Sequence, residues 1–591
     1  MTTENWSSRL PTLDRLGLTA PPTDVHHVAL AQRWLEELST NIAMSDIDGI
    51  LGLICDEGLW RDVLALTWDI RTFDGVSNIR TFLADRLDLV ELRDLKLKGL
   101  PVLQQPFPDL IWIIAMFEFT TKVGSGSGVF RLVPTTSGEW KAYTVFTNLE
   151  GLTGFPEKIG PLRARETVSS ALWAERRARN SKFANEDPSV VIIGGGQSGL
   201  ALAARLKYIG VSYLIIEKDS RVGDSWRKRY DNLCLHFPVW WDSMPYIPFP
   251  PTWPVYTPGF KMAEWLESYA NNLDLNIWTS STVLSAIQDS NNKWNVHVQC
   301  PDGAFRVFHA NHLVFATGMG DGVPKAIDYP GQDIFQGQII HSTQYKRASA
   351  YIGKKVIVIG AGNSAHDICA DLAENGVDVT MFQRSSTMVF SMDRGWKFLG
   401  GALYGEGSPP IEIADCLALS MPQILQENGL DVLDKLRGVG FRVNNGMKDA
   451  GVALQNKEKG GGYFFDTGAS QLIIDGKIKL KNDAQIKKFE KDGLVFDNES
   501  KLVADAIICA TGLGDMRESI RMLCGDKIAN NCPRLLGVDK EGEMSWYRAL
   551  PYAGLWYMIG PFSLNRFYSK SVALQIKAMD ENILDSRYSP K

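Results

Sequence analysis

No two cysteines in this chain are spaced as CxxC, and eight in 591 residues are too few for a disulfide framework. That spacing excludes a zinc ribbon and a redox dithiol. Most of Cys55, Cys234, Cys300, Cys369, Cys416, Cys509, Cys524 and Cys532 then read as small buried apolar residues in a reducing compartment. Positive charge is not in excess: 62 Lys and Arg against 68 Asp and Glu give a formal net charge of −6, which provides no footprint for nucleic acid or an anionic membrane. Long apolar runs are missing as well. Leu110 to Phe119 is roughly half of what spans a bilayer and contains Glu118. The N-terminal residues show no basic start followed by an apolar stretch, and the last three are no peroxisomal address, so a cytoplasmic protein with no transmembrane segment is expected. What the chain does have is length for two to four domains, 45% apolar residues and 53 glycines.

Residues 1–27, rich in Pro and Thr, read as a flexible tail. Apolar residues recur at helical spacing over 28–38, 47–55 and 79–87, and 110–122, 128–134 and 140–149 read as strands joined by Gly/Ser turns. Helices followed by a meander predict a separate α+β domain over 28–155. With Trp60-Arg-Asp and Leu66-Thr-Trp-Asp-Ile-Arg-Thr-Phe-Asp-Gly75, it resembles the cone-shaped domains related to nuclear transport factor 2. The resemblance implies a binding or dimerising role, hence a homodimer through this domain, since no catalytic constellation can be named in it. Residues 156–187 are charged and helical, a linker. From 188 on, strands alternate with helices, the pattern of parallel α/β sheets.

Ser189-Val-Val-Ile-Ile193 is a short β-branched apolar run that enters Gly194-Gly-Gly-Gln-Ser-Gly199 and then a helix. Gly194 permits the sharp turn, Gly196 the approach of a pyrophosphate, and Gly199 close helix–strand packing, with Ser198 at the helix start. Tyr213-Leu-Ile-Ile-Glu217 follows. An acid at that strand end binds ribose hydroxyls and repels a 2′-phosphate, so Glu217 favours FAD or NAD over NADP.

The pattern recurs in Lys355-Val-Ile-Val-Ile359 and Gly360-Ala-Gly-Asn-Ser-Ala365, with Gly360 and Gly362 in the turn and Ala365 in the third glycine's place. Here the next strand ends in Gln383-Arg384-Ser385. A guanidinium beside a hydroxyl suits a 2′-phosphate, so Arg384 and Ser385 predict NADPH. Leu313-Val-Phe-Ala-Thr317-Gly318 and Ala506-Ile-Ile-Cys-Ala-Thr511-Gly512 close the two units. The expected fold is α/β, two nested Rossmann-like domains for FAD (188–345 and 500–591) and NADPH (346–499), preceded by the α+β cone. No metal ligand set is expected.

Between the two turns, Phe335-Gln-Gly337-Gln-Ile-Ile-His341-Ser-Thr-Gln-Tyr345 fits FxGxxxHxxxY/F at every fixed position. On this fingerprint, on Arg229-Tyr-Asp-Asn-Leu-Cys-Leu-His-Phe-Pro238 and on Gly360 to Ala365, residues 188–580 are identified as similar to class B flavin monooxygenases, in the YUCCA-type branch of flavin-containing monooxygenases. The resemblance implies an enzyme of the N,N-dimethylaniline monooxygenase kind, in which NADPH reduces FAD and O₂ gives a C4a-(hydro)peroxyflavin that oxygenates a small molecule. N- or S-oxygenation and oxidative decarboxylation of a 2-oxo acid are both open. The alternatives are an uncoupled NADPH oxidase, a Baeyer–Villiger enzyme, or a binding module with a vestigial flavin part. By the same resemblance Asn363 and Ser364 sit where NADP⁺ meets flavin, Trp226 and Arg227 cover the FAD, His341 stiffens the interdomain linker, and His236 is the catalytic candidate.

Three departures bear on substrate. Tyr345 replaces the Trp-Pro/Asp ending of Baeyer–Villiger enzymes. The N-terminal domain is foreign to plant YUCCA proteins, which puts indole-3-pyruvate in doubt. An insertion over 387–480, with Lys459-Gly-Gly-Gly-Tyr463, is expected to shape the substrate site. The C-terminal segment 561–578 reads as a helix with Arg566, Tyr568 and Ser569 near its start, either facing the flavin pyrimidine with its N-terminus or serving only as a C-terminal packing helix.

Overall fold

The computed structural model describes residues 10–165, 169–392, 410–420, 430–446 and 451–589. Two five-stranded, fully parallel sheets form its centre. The first runs in the order Ile277–Trp278, Tyr213–Ile216, Val190–Ile193, His312–Phe315, Leu555–Tyr557. The four residues of Val190–Ile193 are all buried: helix Gln197–Tyr208 packs against the sheet, and helix Phe562–Asp580 packs on that helix.

The second sheet is ordered Gln338–His341, Ala506–Cys509, Lys355–Ile359, Asp378–Phe382, Lys479–Lys481. This pairing moves the expected boundaries. Strands 338–341 and 506–509, assigned above to the first domain, are hydrogen-bonded into the second. Each sheet carries a three-stranded antiparallel annex, 282–310 and 486–503.

The N-terminal domain holds a seven-stranded sheet with three helices, His27–Ala43, Ile47–Gly52 and Gly75–Val90. Strands Ile54–Val63, Ile70–Asp74, Arg93–Leu97 and Val102–Phe107 were not expected, and the first pairs parallel with the last, Trp140–Leu152. The reason lies in burial. From Leu59 to Val63 every residue is buried, so the run shows no alternation of period two. Buried Asp62 closes the turn after this strand by accepting from the Leu66 and Thr67 N–H groups and from the Thr67 and Thr147 hydroxyls. Burial nonetheless pushes its carboxyl up to about 6.

Cross-strand partners sort the sheet into two faces. Trp60, Phe73, Phe130 and Val145 face the domain's own helices, with Phe73 stacked on Phe82 at 4.0 Å and Trp34 4.3 Å from Phe130. Arg61, Thr72, Val129, Arg131 and Phe146 line the opposite face, which is covered by helices Ile411–Leu419 and Phe562–Asp580. The expected homodimer finds no support here, because this face is occupied within the chain. Residues 10–26 are no loose tail: Leu13 is buried and its N–H bonds the Asp109 carbonyl at 2.7 Å. Residues 1–9 lie outside the described residues. In the linker, the helix is Ser170–Lys182.

Candidate active site

At the first glycine-rich turn, Gly194 has φ +109°, and a Cβ there would come within 2.5 Å of the Ala316 carbonyl. A Cβ on Gly199 would meet the Gly194 carbonyl at 2.1 Å. Open space adjoins Gly196, which caps helix Gln197–Tyr208, whose first N–H groups have no partner within the helix, and Ser198 is buried in its first turn. The Glu217 carboxylate takes the N–H of Gly195 at 2.6 Å and of Asp219 at 2.8 Å. Burial raises its pKa against these bonds. The Thr317 hydroxyl at the end of the neighbouring strand is buried with no partner among the described residues, and Gly318 beside it has φ +78°. A cradle without side chains, an acid at the ribose position and an orphaned hydroxyl are what an FAD diphosphate and ribose require, so these residues fit FAD.

Trp226 lies 6.0 Å from Phe562, at the start of the C-terminal helix. Arg227 is engaged by Glu267 at 2.7 Å, Asp224 at 3.0 Å and the Val222 carbonyl, so it braces its own loop. Two residues of the C-terminal helix depart from expectation. Arg566 binds Asp415 and Tyr568 binds Arg61, so both side chains serve contacts between domains.

The second turn repeats the first. Gly360 has φ +134° and its Cβ would sit 2.5 Å from the Ala510 carbonyl, while Ala365 is buried in helix Asn363–Glu374. Arg384 and Ser385 are exposed at the end of strand Asp378–Phe382, where a 2′-phosphate finds a cation and a hydroxyl in place of the acid of the first cradle, which fits NADPH. Asn363 accepts the Phe465 N–H at 3.0 Å, which fixes its amide with the NH₂ side free of that bond. Ser364 follows, half-buried. Thr511 donates to the Lys325 carbonyl, and Gly512 has φ +85°.

The fingerprint residues connect these parts. Phe335 is buried edge-on to Phe489, and Gly337 leaves room for the Asp505 carbonyl, 2.5 Å from where a Cβ would lie. His341 shares Nε2 with the Gly512 carbonyl at 3.2 Å and Nδ1 with Thr343 at 3.1 Å. Burial lowers its pKa, so it stands as a neutral strut. Tyr345 is fully buried and its hydroxyl donates to Asp371 on helix Asn363–Glu374.

Sequence reasoning missed a cluster around His236. Asp367 lies one turn after Asn363 on the same helix. Its carboxylate meets His236 Nε2 at 3.0 Å and receives the Tyr230 hydroxyl at 2.7 Å, while its carbonyl accepts from Asn232. The i,i+4 spacing from Asn363 was the available signal. A carboxylate can only accept, so His236 carries its proton on Nε2 and turns Nδ1 away. Phe464 stands edge-on to His236 and stacks on His366 at 3.7 Å, and Phe237 packs on Phe465 at 4.5 Å. Burial lowers His366 to about 4, with Nε2 unpartnered among the described residues. Arg229 stacks over Tyr230, its Nε buried without a partner among the described residues.

Two dinucleotide cradles on nested parallel sheets, one with an acid and one with an arginine, define a two-nucleotide flavoprotein. A family model described as pyridine nucleotide-disulphide oxidoreductase matches residues 191–394. The chain is 32% identical over 330 residues to a probable indole-3-pyruvate monooxygenase, YUCCA3, of Arabidopsis thaliana, covering 54% of this chain and 72% of that protein. It is 31% identical over 328 residues to indole-3-pyruvate monooxygenase YUCCA1 of Oryza sativa subsp. japonica, covering 55% and 76%. A flavin-containing monooxygenase from Stenotrophomonas maltophilia superposes with a TM-score of 0.46 at 20% identity, over 66% of this chain and 99% of that one. The chain belongs to the class B flavin-dependent monooxygenases, which use FAD and NADPH. No helix among the described residues is long and apolar enough to cross a membrane.

Proposed function

We propose that this monooxygenase carries out the oxidative decarboxylation of a 2-oxo acid: acid, O₂, NADPH and a proton give the shortened carboxylic acid, CO₂, NADP⁺ and water. The observation that carries the reading is the contrast between the two cradles, Glu217 at one and Arg384 with Ser385 at the other, which separates a resident FAD from an exchanging NADPH. The choice of a 2-oxo acid is supported by the names of the relatives, indole-3-pyruvate monooxygenases.

When bound, FAD supplies electron storage and oxygen activation, and NADPH the hydride. The chain's own residues bind, orient and control protons. Helix Gln197–Tyr208 and Glu217 hold the FAD diphosphate and ribose, and Arg384 and Ser385 hold the 2′-phosphate. Asn363, fixed through Phe465, orients its NH₂ as a donor. His236, fixed by Asp367, offers Nδ1 to hold or release a proton, while Phe237, Phe464 and Phe465 keep water from its surroundings. The N-terminal domain is read as a cone of the nuclear transport factor 2 kind, on its order of helices and strands.

The test supplies NADPH, O₂ and indole-3-pyruvate to the purified holoenzyme. One CO₂ per NADPH oxidised is expected. NADPH consumption with stoichiometric H₂O₂ and no CO₂ would replace this reading with that of an oxidase.

A further inference from the structure

Helix Ile411–Leu419 belongs to the insertion, yet its polar contacts run to the other two domains. At its C-terminal end Arg131 of the N-terminal sheet donates to the Leu417 carbonyl at 3.1 Å and to the Ser420 hydroxyl at 3.0 Å, and Arg61 donates to the Leu419 carbonyl at 3.0 Å. Two guanidinium groups thus cap the last carbonyls of the helix, where its dipole is negative.

In mid-helix, Asp415 forms a buried two-pronged pair with Arg566 at 2.6 and 2.7 Å. Arg566 Nη1 also donates to the Trp241 carbonyl and to Ser243. Those residues end the loop whose other end is His236, held by Asp367. Arg61 also pairs with Glu543 at 2.6 Å, and Lys457, on the insertion helix that leads to Phe464 and Phe465, lies half-buried near that pair.

We propose that the N-terminal domain is a working part of the oxygenating site: Arg131, with Arg61, is a positioning residue that fixes helix Ile411–Leu419, through Asp415 and Arg566, against the loop His236–Ser243. This rests on the reading of the protein as an NADPH-dependent monooxygenase. The occupant of the N-terminal sheet's second face is then the enzyme's own insertion, together with the C-terminal helix. Its purpose is to keep water from the surroundings of His236, so that loosening it speeds the side reaction in which NADPH, a proton and O₂ give NADP⁺ and H₂O₂.

The test compares full-length, FAD-loaded wild type with Arg131→Met and Arg131→Lys. For Arg131→Met, amide hydrogen exchange over 411–420 should quicken at least tenfold, with the 197–208 helix unchanged. Substrate-free peroxide release should rise about fivefold, while anaerobic flavin reduction by NADPH stays within twofold. Arg131→Lys, which keeps the charge and loses the fork, should fall between, and it serves alone if the Met variant does not fold. Unchanged exchange over 411–420 overturns the proposal, as does faster exchange with unchanged peroxide release. Failure of the monooxygenase reading shows separately, as wild-type flavin that NADPH does not bleach.

Discussion

In the proposed function, single side chains decide which nucleotide goes where and how protons are held. Arg384 is exposed, and its backbone carbonyl is held by Arg442 and Gln485, so its side chain is free to meet a phosphate without affecting the strand. Arg384→Ala is expected to raise the KM for NADPH roughly 10- to 100-fold, the worth of one or two charge-assisted bonds, and to leave that for NADH within about twofold. Equal losses for both would remove the 2′-phosphate assignment. Asp367→Asn keeps the shape of the His236 partner but can donate as well as accept, so the imidazole loses its fixed tautomer. Its kcat with a 2-oxo acid should fall by about 10- to 100-fold while anaerobic flavin reduction holds, as stopped-flow would read. A slower reduction with normal kcat would make His236 a packing residue.

The glycine turns behave as elements. Their legibility in sequence came from local physics, since a β-branched strand, a turn needing positive φ and a helix start lie within about ten residues of each other. The Cβ distances add an asymmetry between the two. Gly199 touches the Gly194 carbonyl, whereas the matching position of the second turn already holds a buried alanine. Gly199→Ala should therefore yield protein depleted of FAD and with a lower melting temperature, and Ala365→Gly should keep NADPH binding. Absorbance at the flavin band and titration calorimetry would check both. Elements without such local marks were lost: strand Ile54–Val63 because it is buried over most of its length, and strand Arg93–Leu97 because it is short, charged and half-exposed.

Across the whole molecule, one contiguous core runs from Trp34 and Phe130 through Val191 and Leu200 to Val572. The N-terminal domain is therefore expected to be inseparable from the rest. A chain beginning at residue 166 would expose the surfaces that cover Val129 and Phe146, and should be recovered as aggregate. Polar bonds secure the same junction: Arg61 with Glu543, Arg71 with Glu541, and Arg548 with Asp69. Burial alone would raise the Glu543 carboxyl, but the Arg61 charge and hydrogen bonds, with Lys457 and Thr72, hold it at about 2. Its folded pKa lies below the unfolded value of about 4.3, so its contribution is full above that pH and is lost as the pH falls towards 2. Glu543→Gln should flatten the acid limb of stability between about pH 4.5 and 2 in denaturant melts, at the cost of a weaker junction at neutral pH.

By itself the sequence determined the two glycine-rich turns and the linking fingerprint, because each is written in residues a few positions apart whose backbone demands only certain types can meet. Tertiary structure decided the rest. Arg61 and Glu543 are 482 positions apart, Arg131 and Ser420 are 289, and His236 and Asp367 are 131. No periodicity or spacing links residues so distant, and only the packing of one domain's sheet face against another's helices brings those charges into reach.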